Sequence, residues 1–226
     1  MPPDRDRVLR RARVLGALGH RGMLEAERDR DGAERLRRTI RAWLAREGLD
    51  PELEAHERAA LEAPIGSLAP ADALTASWRF EGAAVLAWAL ALYDLPPHDR
   101  AADVGALSSA LGLGRSDPGT VPRLRSGREL DRGRERAFAV HWRLVEHRLR
   151  PGTIDLATFA RTAWFGPLEI ASTMLADGDL AIAGAPIARA DPRALALATS
   201  IAIERHQAFN WLNGDDPIYS EVDVST

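Results

Sequence analysis

Apolar residues recur with a helical period along most of this chain. The segment AERLRRTIRAWLAREG places Leu36, Ile40 and Trp43 on one stripe with arginines around it, which is typical of an amphipathic helix. Gly48 follows as a stop, and Asp50 and Pro51 then have the residue types of an N-cap and a first helical position. The same period predicts helices over roughly 102–111, 126–150, 155–164 and a stretch after Pro167.

The segment SWRFEGAAVLAWALALYDLPP predicts the most apolar helix of the chain. From Trp78 to Leu92 every position is apolar or glycine except Arg79 and Glu81. A helix that is apolar on all sides is buried on all sides, so we expect this one to run through the middle of the molecule. The two prolines at 96–97 are expected to end it.

The segment DGDLAIAGAPIARAD breaks the helical period. Asp177-Gly178 and Gly184 bracket short alternating stretches, which predicts one small β-hairpin near residues 179–188. Asp191-Pro192 then begins a last helix that runs to about Asn213. The predicted fold class is therefore mostly α, a single-domain multi-helix bundle over residues 1–226 with a buried central helix. Residues 1–48 form an arginine-rich helical segment that packs on the rest, and GLGRSDPGTVPRLRSG is a connector.

Charged residues interrupt the apolar stripes of two predicted helices. On the last helix, Glu204 and Arg205 each fall in the middle of an apolar stripe, and Arg79 and Glu81 do the same on the central helix. Arg79 and Glu81 are two residues apart and point to different faces, so they cannot pair with each other. Because a buried charge without a partner is costly, we expect cross-helix pairs. The hypothesis is that Arg79 pairs with Glu204, and Arg205 with Glu81 or another buried acid.

Two histidines accompany these charges. His206 lies at the edge of the last helix, where it can form a hydrogen bond with Asn210 four residues on. His141 shares its face with Phe138 and Leu144, which favours a core-edge histidine over a catalytic one. The candidate site, a structural ion-pair network or a polar ligand pocket, consists of Arg79, Glu81, His141, Glu204, Arg205, His206 and Asn210.

The sequence gives no reason to expect a metal or a cofactor. Metal sites in helical bundles use Glu-x-x-His motifs on facing helices. Here the run Glu204-Arg205-His206 turns its glutamate and its histidine onto different faces. Cysteine is absent, which excludes disulfides, thiolate metal sites and cysteine nucleophiles.

Composition and charge limit the kinds of partner that we expect. The chain is 46% hydrophobic and 28% charged, enough apolar material for a core. All 30 basic residues are arginine, as in proteins from GC-rich genomes, so arginine content alone is weak evidence for nucleic-acid binding. The net charge of -3 also argues against a polyanion-binding surface.

No targeting or membrane segment is evident. No apolar run approaches the roughly 20 residues of a membrane helix. The run VLGALG after Arg10-Arg11 is shorter than the about 7 to 15 apolar residues of an export signal. We therefore expect a cytoplasmic protein that does not bind membranes.

Known catalytic motifs are missing from the sequence. It contains no Gly-x-Ser-x-Gly, phosphate loop, dinucleotide fingerprint or His-Glu-x-x-His, so nothing argues positively for an enzyme. The predicted function is a non-enzymatic binding or regulatory protein that recognises a protein partner. The alternative is an enzyme or small-ligand sensor with a polar pocket built from the charged residues and histidines named above. A deep cavity that meets those side chains would favour the alternative.

Four segments carry a resemblance to a known family. SWRFEGAAVLAWAL, RSGRELDRGRERAFAVHW, DGDLAIAGAPI and SIAIERHQAFNWLNG, in that order and spacing, resemble the bacterial domain of unknown function family 4272. The resemblance covers most of the chain. It implies a mostly helical bacterial cytoplasmic protein and supplies no activity.

The chain departs from that family in its tail. Where the family has a Trp-Asp-Asp-Val segment and a later Asp, this chain has Tyr219, Ser220 and Ser225 in place of the Trp, the first Asp and the later Asp. If the family's tail binds a cation, this chain has lost two of its carboxylates. The tail acids that remain are Asp215, Asp216, Glu221 and Asp223.

Overall fold

The computed structural model describes residues 1–114, 121–164 and 166–226. Over these residues the fold is mostly α, with eight α-helices and one small antiparallel sheet, which confirms the predicted fold class. The chain divides into two compact units. We call them the N-terminal unit (Pro3–Leu95 and Ala102–Arg125) and the C-terminal unit (Met1–Pro2, Pro96–Ala101 and Ser126–Thr226). The single domain over 1–226 stays a prediction.

The N-terminal unit is entirely helical in its described part. Its helices are α1 (Arg5–Leu24), α2 (Arg30–Arg46), α3 (Ala55–Glu62), α4 (Pro70–Ala89) and α5 (Val104–Leu111). The two longest, α1 and α4, pack against each other along their lengths. In none of the helices that the structure describes, in either unit, is an apolar stretch long enough to cross a bilayer.

Two glycines allow α1 and α4 to approach closely. Gly19 and Gly22 are three residues apart on α1. A Cβ atom on Gly22 would lie 2.3 Å from the backbone nitrogen of Ser77, and one on Gly19 would lie 2.5 Å from Cδ2 of Phe80. Since real Cβ contacts are longer, only glycine fits these positions at this separation of the helices.

Two predicted helix boundaries in this unit are wrong. Asp50 and Pro51 form a short 3-10 turn, and α3 begins at Ala55, where the Glu54 and Glu57 side chains form a capping box. The central helix α4 ends at Ala89 because Ala91 takes a left-handed conformation with φ of 56°. From Phe80 to Ala89 its apolar residues are buried as predicted except Trp88, whereas Trp78 and Trp88 are half-buried. The predicted connector over 112–127 includes residues 115–120, which lie outside the described residues.

The C-terminal unit combines helices with a three-stranded meander. Its elements are α6 (Gly127–Leu149), α7 (Leu156–Thr162), β1 (Leu175–Ala176), β2 (Asp179–Ile182), β3 (Ala185–Pro186) and α8 (Pro192–Asn213). Helix α6 packs on α8, and an apolar cluster that includes Val140, Leu180 and Ala198 lies between these helices and the sheet. The helix predicted after Pro167 is wrong, because residues 166–171 are irregular and only a 3-10 turn at Ser172–Met174 follows.

The predicted hairpin is β2–β3, and β1 adds a third strand on the other side of β2. Each connection has two residues with positive φ, at Asp177-Gly178 and at Ala183-Gly184. Such turns match the twist of the strands they join. The N–H of Ala183 donates to Oδ2 of Asp99 at 2.7 Å, which holds the less favourable alanine turn in place.

Buried arginines with acidic partners occur in both units. In the N-terminal unit, Arg11 donates to Glu57 through both terminal nitrogens, and the Nη1 to Oε2 distance is 2.9 Å. In the C-terminal unit, Arg143 donates from Nε and Nη2 to the two oxygens of Asp179, at 2.8 and 2.7 Å. Both partners of each pair are buried. Sequence reasoning did not predict either pair.

Helix α8 has the bounds predicted from the sequence. The Asp191 carboxylate accepts from the N–H of Arg193 at 2.8 Å, and Gly214 ends the helix with φ of 85°. Glu204 and Arg205 are both buried, as the apolar stripes around them predicted.

Candidate functional site

The polar face of α8 is covered by the chain's own C-terminal tail, residues 215–226. Gln207 donates to the carbonyl of Tyr219 at 2.8 Å, and Asn210 donates to the carbonyl of Asp223 at 2.9 Å. Tyr219 also packs edge-on against Trp211. The tail therefore folds back along α8. His206, predicted at the helix edge, is only 2% exposed as a result.

Two histidines meet beneath the tail. Nδ1 of His141 lies 3.0 Å from Nδ1 of His206, and Nε2 of His206 lies 3.1 Å from Nδ2 of Asn210. The predicted bond between His206 and Asn210 is thus confirmed. Because the amide nitrogen can only donate, Nε2 of His206 accepts, and the ring proton of a neutral His206 is on Nδ1. His206 then donates to His141, and both rings are neutral.

Electrostatics agree with this assignment. Burial, with smaller contributions from the neighbouring His141 and Arg134, lowers the pKa of His206 to about 4, although Asp215 and Asp223 act in the opposite direction. Burial also lowers the pKa of His141, with a smaller contribution from Arg148. Both rings therefore stay uncharged at neutral pH.

Acid is expected to destabilise the protein through His206. Its pKa is lowered to about 4 in the folded chain from an ordinary 6.5, so between these values the unfolded chain binds more protons. This group should reduce the free energy of unfolding by about 2 kcal/mol between pH 7 and pH 5. Urea unfolding of wild type and His206→Gln at both pH values checks this. The variant should lose less stability than wild type, and equal losses would contradict the assignment.

A groove winds along α6. It is lined by Glu135 and by residues that recur every four positions, namely Arg134, Phe138, Trp142 and Glu146 of α6 and Arg150 directly after it. At 1.5 Å per residue this stripe is about 24 Å long. The groove has a volume of about 890 Å³. We call it the α6 groove.

Other elements of the same unit complete the α6 groove. His206 and Asn210 line it from α8, Asp223 and Ser225 from the tail, and Phe159 from α7. Phe159 stacks on Trp142 with ring centroids 4.6 Å apart and planes 4° from parallel. Trp164 lies just beyond α7 at the rim, and it is 91% exposed. The groove therefore has an apolar, aromatic part and a polar end beside the tail.

A second cleft lies on the other side of the tail's last residues. It has a volume of about 910 Å³ and is mostly apolar, with Leu144 and Val145 from α6 and Leu195 and Ile203 from α8. His141 lines this cleft, whereas its partner His206 lines the α6 groove. The tail residues Asp223, Ser225 and Thr226 line both. The tail thus separates two cavities that share the histidine pair as part of their walls.

Two charged members of the predicted site bind backbone groups of their own units. Arg205 donates to the carbonyls of Pro96, Pro97 and Arg100 at 2.8 to 3.0 Å and so holds this loop onto α8. In the N-terminal unit, Glu81 accepts from the backbone N–H of Ala102 at 2.7 Å.

Arg79 is half-buried on α4. Its pairing with Glu204, and that of Arg205 with Glu81, stay predictions. Of the seven candidate residues, His141, His206 and Asn210 form a hydrogen-bonded chain with His206 in the middle, and they line the two cavities.

Sequence reasoning missed the residues that dominate the α6 groove. Phe138 was noted only as a neighbour of His141, and Arg134 and Trp142 were not identified. Their spacing of four residues was visible in the sequence. It identifies one helix face, but it does not tell whether another element packs on that face.

One group in the described part of the chain has the geometry of metal ligands. Oxygen and nitrogen atoms of Glu54, His56 and Glu57 lie within 4.8 Å of one another. However, Glu57 forms a salt bridge with the buried Arg11, and an oxygen of Glu54 lies 3.5 Å from the same guanidinium. These carboxylates neutralise an arginine, so we assign the group a structural role.

Comparison of the chain with protein-family models, curated proteins and solved structures found no match. The resemblance to domain family 4272 stays a prediction.

Proposed function

We propose that the chain is a non-enzymatic binding or regulatory protein of the bacterial cytoplasm that recognises a protein partner through the α6 groove. An extended segment of the partner lies along α6. A groove of about 24 Å has room for roughly seven extended residues at 3.3 to 3.6 Å each. The observation that carries the proposal is the open aromatic groove with Trp164 at its rim.

Aromatic side chains support a protein partner. Tryptophan is enriched at the energetic centres of protein interfaces. Trp164 is 91% exposed and lines the same groove as the stacked pair of Trp142 and Phe159, so a bound segment can bury it together with them. Acids outnumber arginines in the lining of the groove, which favours a protein over a nucleic acid.

The second candidate is an enzyme or small-ligand sensor. It is favoured by His206 and Asn210, which line the α6 groove at its polar end. In this structure both side chains already have partners, since Asn210 holds the tail and His206 joins Asn210 to His141. A general base needs a nitrogen available to the substrate. This candidate therefore ranks second.

Loss of Trp164 is expected to weaken partner binding. Peptides of 12 residues would be selected from a display library on the full chain, and their dissociation constants measured by fluorescence anisotropy. Trp164→Ala should raise these constants at least about tenfold, as expected for the loss of an interface tryptophan. The control is Leu149→Ala, since Leu149 is 67% exposed at the end of α6 and outside the groove. Equal effects of the two substitutions, or no enrichment at all, would exclude the proposal.

A further inference from the structure

Arg134 is half-buried and differs from the buried arginines of this chain. Arg11, Arg21, Arg143 and Arg205 each donate to protein groups: Glu57 for Arg11, Glu25 for Arg21, Asp179 for Arg143 and three carbonyls for Arg205. Arg134 forms no hydrogen bond and no ion pair with any side chain or carbonyl among the described residues, and its Nε is buried without a partner. A half-buried guanidinium without an ion pair can bind an anion, and here the protein does not supply one.

This guanidinium belongs to the polar end of the α6 groove. Arg134 lies on the groove stripe one turn before Phe138. Its charge is felt by His206, which lines the same end. A ligand in the groove can therefore supply the counterion that the chain does not.

We propose that Arg134 binds the carboxylate of an aspartate or glutamate in the partner segment. This inference rests on the proposed function of the α6 groove. A guanidinium offers parallel N–H donors that match the two oxygens of a carboxylate. The ligand then completes at Arg134 the kind of pair that Asp179 completes at Arg143 within the fold.

Neighbouring acids favour a carboxylate over a phosphate. Glu135, Asp215 and Asp223 line the same groove, so a doubly charged phosphate meets more repulsion than a singly charged carboxylate. Two of these acids are held by other groups. Asp215 accepts from Asn213 at 2.7 Å, and Asp223 accepts from the backbone and hydroxyl of Ser225 at 2.8 and 2.6 Å.

The spacing along α6 predicts the pattern of the bound segment. Arg134, Phe138 and Trp142 follow one another at intervals of about 6 Å along the helix axis. In an extended peptide, residues on one side are two positions apart, which is about 6.6 Å. The partner segment should therefore carry an acidic residue followed, or preceded, by apolar residues two and four positions away.

Matched peptide libraries test the inference. Two libraries of amidated 12-residue peptides differ only in a fixed central residue, glutamate or glutamine. Both are selected on full-length wild type, Arg134→Gln, Arg134→Lys and Trp164→Ala, and dissociation constants of the enriched peptides and their Glu/Gln counterparts are measured. The control is Arg132→Gln, because Arg132 is an exposed arginine of the same helix outside the groove.

On wild type and Arg132→Gln, glutamate peptides should bind at least about tenfold more tightly than their glutamine counterparts, as expected for a close charge pair. Arg134→Gln should reduce this preference to less than about twofold. Arg134→Lys keeps the charge but not the parallel N–H donors of a guanidinium, so it should retain part of the preference. If Arg134→Gln does not fold, the lysine variant decides, and an unchanged preference in it would overturn the inference. Enriched glutamate peptides that lack apolar residues two and four positions from the glutamate would also overturn the inference.

The two proposals can fail separately. Peptides that depend on Trp164 but show no glutamate preference, or keep it in Arg134→Gln, would overturn the role of Arg134 and leave the proposed function standing. Peptides with a free C-terminal carboxylate in place of the amide could bind more tightly, while glutamate gives no tighter binding than glutamine. This result would also overturn the role of Arg134 proposed here, since the bound anion would then be the end of the peptide. If no enriched peptide depends on Trp164, both proposals fail.

Discussion

Asp179→Asn should lower the free energy of unfolding by about 3 to 5 kcal/mol, the usual cost of removing one charge of a buried pair. Asp179 and Arg143 are both fully buried. Besides Arg143, the Asp179 carboxylate accepts from the backbone N–H groups of Ile154 and Leu180, at 3.1 and 2.8 Å. Burial alone would raise the pKa of Asp179, but these donors outweigh it, and the pKa is lowered. Asparagine keeps the shape and leaves the arginine charge buried without a counterion.

A second aspartate two residues away provides the control. Asp177 pairs with Arg189, and both side chains are about two-thirds exposed, at 70% and 68%. Such surface pairs contribute about 0 to 1 kcal/mol, so Asp177→Asn should have little effect. Urea unfolding followed by circular dichroism at pH 7 measures both variants. A loss below about 1 kcal/mol for Asp179→Asn would show that the pair does not stabilise the fold.

Gly22→Ala should be about as damaging, with an expected loss of about 3 kcal/mol or more. A Cβ atom there would lie 2.3 Å from the nitrogen of Ser77 and 2.5 Å from the carbonyl oxygen of Ala73. Both are backbone atoms of α4, so no side chain can turn away to make room. The two helices would have to move apart and lose contacts along their whole interface.

Gly127→Ala is the matched control for this substitution. Gly127 begins α6, and a Cβ atom there meets nothing within 4 Å. Alanine should therefore be neutral, or stabilising by up to about 1 kcal/mol, because it restricts the unfolded chain. Thermal unfolding of Gly22→Ala and Gly127→Ala measures both effects, and only Gly22→Ala should have a much lower melting temperature than wild type. Equal melting temperatures would mean that α1 and α4 are not in close contact at Gly22.

Local signals in the sequence predicted some elements well. Helix α8 was found because Asp191-Pro192 and Gly214 are local start and stop signals that the structure uses directly. The hairpin β2–β3 was found for a similar reason, since Gly184 lies in its turn and Asp177-Gly178 precedes its first strand; the strand β1 on the other side of Asp177-Gly178 was not predicted. Asp50-Pro51 was an equally good local start signal, but the chain there forms a 3-10 turn, and the capping box at Glu54 begins the helix instead.

Long-range partners account for most of what the sequence could not predict. Arg143 lies on a helix with many exposed arginines, and nothing near it in sequence indicates that Asp179, 36 residues later, will meet it. The same holds for Arg11 and Glu57, which are 46 residues apart. Glu204 and Arg205 were predicted to be buried because their apolar neighbours lie on the same helix. The partners of Arg205, three carbonyls of the loop at 96–100, were not predictable.

In the candidate site, too, local contacts were predictable from the sequence and long-range contacts were not. Contact between His206 and Asn210 follows from a spacing of four residues on one helix. Their contact with His141 depends on the way α6 packs against α8. The α6 groove depends further on where α7 and the tail lie, so its lining could not be deduced from the period of α6 alone.

The way in which α8 holds the tail has a consequence for divergence of the sequence. Gln207 and Asn210 bind the main-chain carbonyls of Tyr219 and Asp223, and every residue type has such a carbonyl. The exposed side chains of Ser220 and Ser225 take no part in these bonds, so substitutions there leave the attachment intact. An insertion or deletion between Tyr219 and Asp223 is different, because it puts one of the two carbonyls out of reach. The exposed positions of this tail can thus accumulate substitutions, whereas its length between the two anchors is fixed.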